Sequence, residues 1–122
     1  MIYWSIHNFI LEICYTKYNS FYMYIAMNRF QISLGNEDKF ENIWKNRETY
    51  LDDVKGFLGF NLMKGDKFDN YTLYISHSTW ESHLDFITWT KSRAFREAHK
   101  NAGANKKIYK GSPQFEGFNV VL

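Results

Sequence analysis

The chain has 122 residues, enough for one domain with a single modest hydrophobic core. Its formal net charge is only +2 and its Lys and Arg residues are scattered, which argues against a nucleic-acid-binding surface. Cys14 is the only cysteine, so an internal disulfide is impossible and a reducing cytoplasm is the expected location. Aromatic residues make up 20% of the chain, which predicts a pocket, a large subunit interface or both.

Motifs of several common enzyme classes are missing from the sequence. CxxC, HExxH, GxGxxG, P-loop and GxSxG patterns do not occur, which removes the usual zinc, nucleotide and serine-hydrolase interpretations. Residues 1–22 are aromatic-rich but interrupted by polar residues, so they are too polar to span a membrane, and they lack the basic start of a secretory signal. We expect an N-terminal appendage over 1–22 and a working domain over 23–122.

The first predicted element of that domain is a strand from Tyr24 to Leu34. Its alternation places one set of apolar residues on a common face: Tyr24, Ala26, Phe30, Ile32 and Leu34. Asn28 shares this apolar face, where burying an amide costs about 1–3 kcal/mol unless it finds partners. Asn28 therefore marks either a bulge or backbone hydrogen bond, or a contact with a ligand.

A helix is predicted from Lys39 to Val54. Its apolar stripe consists of Phe40, Ile43, Trp44, Leu51 and Val54. Arg47 lies only about 20° from the direction of this stripe, at 100° per residue. Either its stem covers the core and its guanidinium reaches the edge, or it is a fixed cation for an anionic ligand such as a carboxylate.

Gly56 ends that helix, and FLGFNLM (57–63) is predicted to be the second strand. A polar turn around 65–67 leads to the third strand, YTLYISHST (71–79), which makes an antiparallel hairpin. A fourth strand is predicted over FEGFNVVL (115–122) at the end of the chain.

Two helical segments separate the third and fourth strands. The helix predicted from Trp80 to Thr90 places Trp80, Leu84 and Ile87 on its core face. Trp89 then points nearly the opposite way, because nine residues turn the direction by about 180°. Such an indole is buried by a partner subunit or a flat ligand, or it is simply exposed.

Ser92 is predicted to cap a further helix from Arg93 to Ala102. The core stripe of this helix contains Phe95, Ala98, His99 and Ala102. His99 is either a core histidine satisfied by its neighbours or a metal ligand in an apolar pocket. Haem suits the second interpretation better than zinc, because haem iron needs only one strong protein ligand. The polar stretch 100–114 is predicted to be a mobile loop, of the kind that covers pockets as a lid.

The predicted order β-α-β-β-α-β is that of a ferredoxin-like α+β domain, an antiparallel sheet with helices on one face. The other face would remain exposed in a monomer. With so many aromatic residues, we expect that face to close against a second copy of the chain.

Several segments resemble the antibiotic-biosynthesis-monooxygenase (ABM) superfamily, and within it the haem-degrading monooxygenases of the IsdG type. The segments are AMNRFQ, GFLGFNLM, TWES, the W-x9-H pattern in WTKSRAFREAHK, and FNVVL. The resemblance covers about residues 23–122 and implies a dimeric α/β barrel. Carried over, Asn28 matches the distal asparagine of that group, Trp89 its pocket tryptophan and His99 its iron-ligating histidine. Arg47 matches an arginine near the haem in the mycobacterial type.

The resemblance implies an enzyme that opens the haem ring with O2 and an external reductant and releases iron. Haem would be both substrate and cofactor, bound by Asn28, Arg47, Trp89 and His99, with Asn28, Trp89 and His99 taking part in catalysis. The implied partners are a second copy of the chain and an electron donor or reductase; neither nucleic acid nor membrane is implied. The appendage over 1–22 and the loop after His99 depart from the pattern.

Three other functions are compatible with the sequence. A cofactor-free ABM-type monooxygenase acting on quinols or polyphenols would explain the fold and the aromatic pocket, although it has no need for an iron ligand at His99. A haem-binding carrier would keep that ligand but would not degrade haem. A dimeric domain with only a structural role would need neither an iron ligand nor haem degradation.

Overall fold

A computed structural model of the chain describes residues 22–47, 49–100 and 106–122. The strands in these ranges are β1 (Tyr24–Ser33), β2 (Phe57–Lys67), β3 (Tyr71–Trp80) and β4 (Gln114–Asn119). The helices in these ranges are α1 (Glu37–Lys45), α2 (His83–Thr90) and α3 (Arg93–His99), together with a 3₁₀ turn at Lys106–Ile108. Tyr22 apart, the predicted appendage lies outside the described residues.

The strands form one antiparallel sheet in the order β2-β3-β1-β4. This is the order expected of a ferredoxin-like α+β domain, so the predicted fold class is confirmed. β1 occupies a central position and pairs with both β3 and β4. A ligand-binding side chain on β1 is consequently held by hydrogen-bonded strands on both sides.

Two separate aromatic clusters form the core on the helical side of the sheet. The first contains Tyr24, Ala26, Leu51, Trp80 and Phe86. The second contains Phe30, Ile32, Phe40, Tyr74 and Ile108. Asn28 lies between Ala26 and Phe30 on the same face of β1, so it separates the two clusters. The core is therefore interrupted at a polar residue.

The predicted burial of β1 is confirmed over most of its length. Tyr24, Ala26, Phe30 and Ile32 are all buried. Leu34 was expected on the same face, but it is 39% exposed. The strand ends at Ser33 and a turn follows, so the alternation no longer applies at Leu34.

The helix predicted over 39–54 is wrong in its second half. It ends at Lys45, and Tyr50 has a φ of 57°, a left-handed conformation that a right-handed helix cannot contain. Leu51 reaches the core from a turn instead, in which its carbonyl accepts the Val54 N–H at 3.0 Å. Leu51 is buried and Val54 is partly buried, so the predicted apolar character of these two positions holds although they are not helical.

The prediction that Trp80 opens a helix is also wrong. Trp80 is the last residue of β3 and is fully buried, while Ser82 caps α2 by accepting an amide N–H of the first turn at 3.1 Å. This shift changes which face of α2 is buried. Phe86 enters the core, Leu84 is 46% exposed, and Trp89 packs towards the core rather than away from it.

The β2–β3 hairpin is confirmed, but its turn lies further along the chain than predicted. β2 continues to Lys67 through an irregularity in the pairing, and the turn follows at 68–70. There the Phe68 N–H donates to the Tyr71 carbonyl at 2.7 Å. β4 is shorter than the predicted strand over 115–122 and ends at Asn119.

Part of the predicted mobile loop between α3 and β4 is anchored. Ile108 is only 2% exposed and packs in the second aromatic cluster. Its carbonyl accepts a hydrogen bond from Ser33 Oγ at 2.9 Å, and the Lys110 N–H donates to the Gln31 carbonyl at 2.8 Å. The loop prediction is therefore wrong for this part, while residues 101–105 lie outside the described ranges.

The face of the sheet opposite the two clusters carries apolar side chains too. Its members, fixed by strand alternation and register, include Ile25, Met27, Met63, Leu73, Ile75 and Phe118. No helix within the described ranges packs over these residues, and Met63 and Phe118 are 39% and 47% exposed. In the same part of the chain, none of the helices is both long and apolar enough to cross a membrane.

The anchoring of the 3₁₀ turn predicts a large effect of Ile108→Ala. Truncating this buried side chain should lower the free energy of unfolding by about 2–5 kcal/mol, because it removes apolar contacts and leaves a cavity. Urea unfolding measures the change. The matched control is Lys107→Ala, an exposed neighbour in the same turn, expected to change stability by less than about 0.5 kcal/mol. Equal effects of the two variants would show that the turn is not part of the core.

Candidate active site

A cavity of about 510 Å³ occupies the gap between the two aromatic clusters. The sheet forms its floor, α2 and α3 form one wall, and the segment after α1 forms another. Asn28, Arg47, Trp89 and His99 all line this cavity. The structure thus brings together the four residues singled out from the sequence, although they come from four different elements or connections.

His99 is the last residue of α3, and its imidazole is half-buried in the helical wall. Its Nδ1 lies 2.8 Å from the carbonyl oxygen of Phe95, one helical turn earlier. A carbonyl can only accept a hydrogen bond, so Nδ1 carries the proton in the neutral ring and Nε2 keeps its lone pair. The Phe95 ring stacks on the imidazole with centroids 4.1 Å apart. The ring is therefore held in the tautomer and orientation that ligate a metal through Nε2.

The electrostatic surroundings also favour a neutral His99. Burial is the main cause that lowers the pKa of His99 from its ordinary value, and the positive charge of Arg47 acts in the same direction. The hydrogen bond to the Phe95 carbonyl acts in the opposite direction but does not reverse the shift. Because a metal competes with a proton for the imidazole lone pair, a lowered pKa makes His99 a better ligand near neutral pH.

Trp89, on α2, joins the core to the cavity wall. Its ring centroid is 5.3 Å from that of Trp80, 4.9 Å from that of Phe95 and 5.9 Å from that of His99. Contacts on several sides fix the plane of the indole. Its Nε1 is buried and has no hydrogen-bond partner among the described residues. The cavity thus presents one rigid aromatic surface next to the histidine.

Arg47 lies just beyond the end of α1, where its backbone N–H donates to the Trp44 carbonyl at 3.3 Å. Its guanidinium carbon is 4.2 Å from the centroid of the Trp44 ring, a cation–π contact. Burial lowers the pKa of Arg47, and Tyr109 acts in the opposite direction, yet a guanidinium stays charged at neutral pH. Arg47 is therefore a fixed cation at the cavity, although the predicted helix ends before reaching it.

Asn28 lies on the cavity floor, on β1. Its register partners are Ser76 on β3 and Phe115 on β4, and all three line the cavity. No bulge interrupts the pairing of β1 with either neighbour, so the bulge interpretation of Asn28 is excluded. The amide lies across the cavity from the helical wall that carries His99.

Sequence reasoning missed several cavity residues. Trp44 and Phe95 were assigned only to apolar stripes, which gave no reason to separate cavity from core. Tyr109 fell in the predicted loop, and Ser76 looked like an ordinary strand residue. Only the strand register could have revealed Ser76, because it places the serine directly opposite Asn28.

These features fit an iron porphyrin. The cavity offers one neutral imidazole with a free lone pair, aromatic surfaces for a flat apolar ring and one cation for carboxylates. They do not fit a metal ion bound by side chains alone. Within the part of the chain that the structure describes, no group of three or more His, Cys, Asp or Glu residues could hold such an ion.

Comparisons with known proteins agree with this chemistry. A haem-degrading monooxygenase of Shouchella clausii is 33% identical over 82% of this chain and 92% of its own length. A staphylobilin-producing haem oxygenase of Staphylococcus epidermidis is 32% identical over 69% of this chain and 80% of its own.

The fold comparison identifies the same group of proteins. The haem degrader MhuD of Mycobacterium tuberculosis, solved with two haems in its active site, superposes with a TM-score of 0.64 and is 27% identical. The match covers 81% of this chain and 96% of MhuD. The sequence profile of the antibiotic biosynthesis monooxygenase family matches residues 23–101. The chain therefore belongs to the antibiotic biosynthesis monooxygenase family, in the branch that contains haem-degrading monooxygenases.

Proposed function

We propose that this protein degrades haem by opening the ring with O2 and an external reductant and releasing iron. The observation that carries the proposal is the Nδ1 hydrogen bond of His99 to the Phe95 carbonyl, which leaves Nε2 free inside an aromatic cavity. A cofactor-free oxygenase needs no such ligand. The names of the relatives from Shouchella clausii and Staphylococcus epidermidis support the same reaction.

Each cavity residue has a distinct task in this proposal. Haem, when bound, supplies the iron at which O2 reacts and is itself the ring that is cleaved. His99 holds haem from the helical wall through Nε2, and Arg47 pairs with a carboxylate at the edge of the ring. Trp89 would contact the ring beside the histidine and restrict its position. Asn28, on the sheet, would donate a hydrogen bond where negative charge develops on oxygen.

Haem titration tests the proposal directly. The wild-type protein should give a saturable Soret band with hemin, and ascorbate in the presence of catalase should bleach that band. His99→Ala should weaken the band severely, because it removes the iron ligand. The matched control is His83→Ala, whose ring stacks on Tyr24 with centroids 4.1 Å apart and does not line the cavity.

The outcomes separate the alternatives. A band that depends on His99 and survives ascorbate, with or without a reductase preparation, would make the protein a haem carrier. Equal binding by wild type and His99→Ala would remove His99 from the site. A lack of saturable binding by the wild type would refute the haem proposal and leave quinols or polyphenols as candidate substrates of the cavity.

The lowered pKa of His99 predicts how the ligand-free site responds to pH. The imidazole should titrate below 6.5, its ordinary value, and remain neutral and ready to bind iron above that pH. Haem affinity should therefore be nearly constant above pH 6.5 and fall as the pH drops through the pKa of His99. Arg47→Gln should raise this pKa, because it removes a nearby positive charge.

Imidazole NMR resonances recorded against pH, assigned with His99→Gln, measure the pKa in the wild type and in Arg47→Gln. Titration of His99 above 6.5 in the wild type would contradict the burial argument. An unchanged value in Arg47→Gln would show that the guanidinium is too far away or too well screened to matter.

We also propose that the chain forms a homodimer through the open face of its sheet, where no helix of the described ranges covers the apolar side chains. Ile75 lies near the centre of that face, opposite Arg29 on β1 and Met63 on β2. Ile75→Glu would place a charge inside the interface, where desolvation is costly.

Light scattering after size exclusion should give a dimer for the wild type and a monomer for Ile75→Glu. The matched control is Leu84→Glu on α2, where the leucine is 46% exposed on another surface, and this variant should stay dimeric. A monomeric wild type at micromolar concentration would contradict the dimer.

The proposal further includes a cytoplasmic location and an electron donor or reductase that ascorbate replaces in the assay. The single cysteine, Cys14, is consistent with a reducing compartment. In such a compartment, the electron donor or reductase would supply the electrons that the reaction consumes.

A further inference from the structure

The cavity floor carries a second polar side chain next to Asn28. Ser76, on β3, is only 6% exposed and lines the cavity. It is the direct cross-strand partner of Asn28 on β1 and of Leu62 on β2. Directly opposed residues of an antiparallel pair have Cβ atoms about 4.5–5.5 Å apart, so the serine hydroxyl and the asparagine amide are close neighbours on one face.

The Ser76 hydroxyl differs from the hydroxyls of the other two buried serine and threonine residues in the described ranges, Thr72 and Ser82. Thr72 Oγ1 donates to Glu37 Oε2 at 3.4 Å, and Ser82 Oγ accepts an amide N–H at 3.1 Å. By contrast, no hydrogen bond joins the Ser76 hydroxyl to any other residue that the structure describes. Because the serine lines the cavity, its hydroxyl is available to a ligand bound there.

The chemistry of the pair selects the kind of ligand. A hydroxyl and a carboxamide can each donate a hydrogen bond to the same small acceptor, and aromatic rings exclude water around them. His99 lies on the helical wall, across the cavity from this floor. A flat ring held by His99 would therefore turn its other side towards Ser76 and Asn28.

We propose that Ser76 is a second hydrogen-bonding residue of the site, which acts with Asn28 on the small hydrogen-bond acceptor between the haem and the sheet. In the reaction that ligand is O2. This inference rests on the proposed haem degradation and adds a positioning residue to it. Ser76 and Asn28 together would then supply the hydrogen bonds that the sheet offers to this ligand.

Two probes that bind haem iron test the role of Ser76 without relying on turnover. Cyanide affinity of the ferric haem complex and the C–O stretching frequency of the ferrous carbon monoxide complex both respond to hydrogen-bond donors near the ligand. Ser76→Ala should weaken cyanide binding about fivefold, the size expected from one neutral hydrogen bond, and raise the C–O frequency. Asn28→Ala should change both in the same direction.

Two control variants separate the hydroxyl from general effects on packing. Ser76→Thr keeps the hydroxyl and should restore both values towards the wild type. Thr72→Val removes a hydroxyl from the same strand and face, but one that donates to Glu37 Oε2 at 3.4 Å and does not line the cavity. It should leave both ligand values unchanged.

The results distinguish this inference from the function on which it rests. If Ser76→Ala binds haem normally and keeps the cyanide affinity and C–O frequency of the wild type, the role of Ser76 is overturned while the proposed function stands. Equal changes in Ser76→Ala and Thr72→Val would overturn it as well, because they would point to the packing of β3. A wild type that binds no haem would overturn both the proposed function and the role of Ser76.

Discussion

The Ser92 side chain joins the two helices that carry Trp89 and His99. Ser92 Oγ donates to the Trp89 carbonyl at 2.6 Å, and it accepts the Phe95 N–H at 3.1 Å. One hydroxyl therefore ends α2 and begins α3. α3 has only seven residues, too few to be stable as an isolated helix, so this cap and the aromatic contacts of Phe95 must hold it in place. The orientation of the imidazole follows from that helix, because its Nδ1 partner is the carbonyl one turn earlier.

The cavity exists because the aromatic core is divided in two. Bulky rings fill the sheet face on either side of Asn28, and the small or polar side chains at Ala26, Ser76 and Ser78 leave space between them. An apolar residue at Asn28 would favour joining the two clusters into one continuous core. Polar residues in the middle of a strand thus have an architectural effect as well as a chemical one.

Sequence patterns predicted the fold class, β1 and the Ser92 cap correctly, because alternation and capping are local properties. The errors arose where tertiary structure overrides a local pattern. Trp80 fits a helical stripe, but strand pairing with Tyr24 and Phe57 places it in β3. The turn containing Ile108 looked like a polar loop, since a single buried residue among lysines gives no periodic signal.

For the cavity, the sequence singled out residues that were odd in their context, and the structure brings them together. It could not single out Ser76 or Tyr109, which are ordinary in sequence and become notable only through their neighbours. Ser76 depends on the register between β1 and β3, and Tyr109 on an isolated bridge to Ile32. Pairing between distant segments is the information that one sequence does not contain.

The cavity and the open apolar face lie on opposite sides of one sheet. A second copy docked on the open face would therefore complete no part of this site. In such a dimer the two subunits would work independently. A mixed dimer with one disabled subunit would then keep half of the turnover, and natural variation could reshape the interface without disturbing the chemistry.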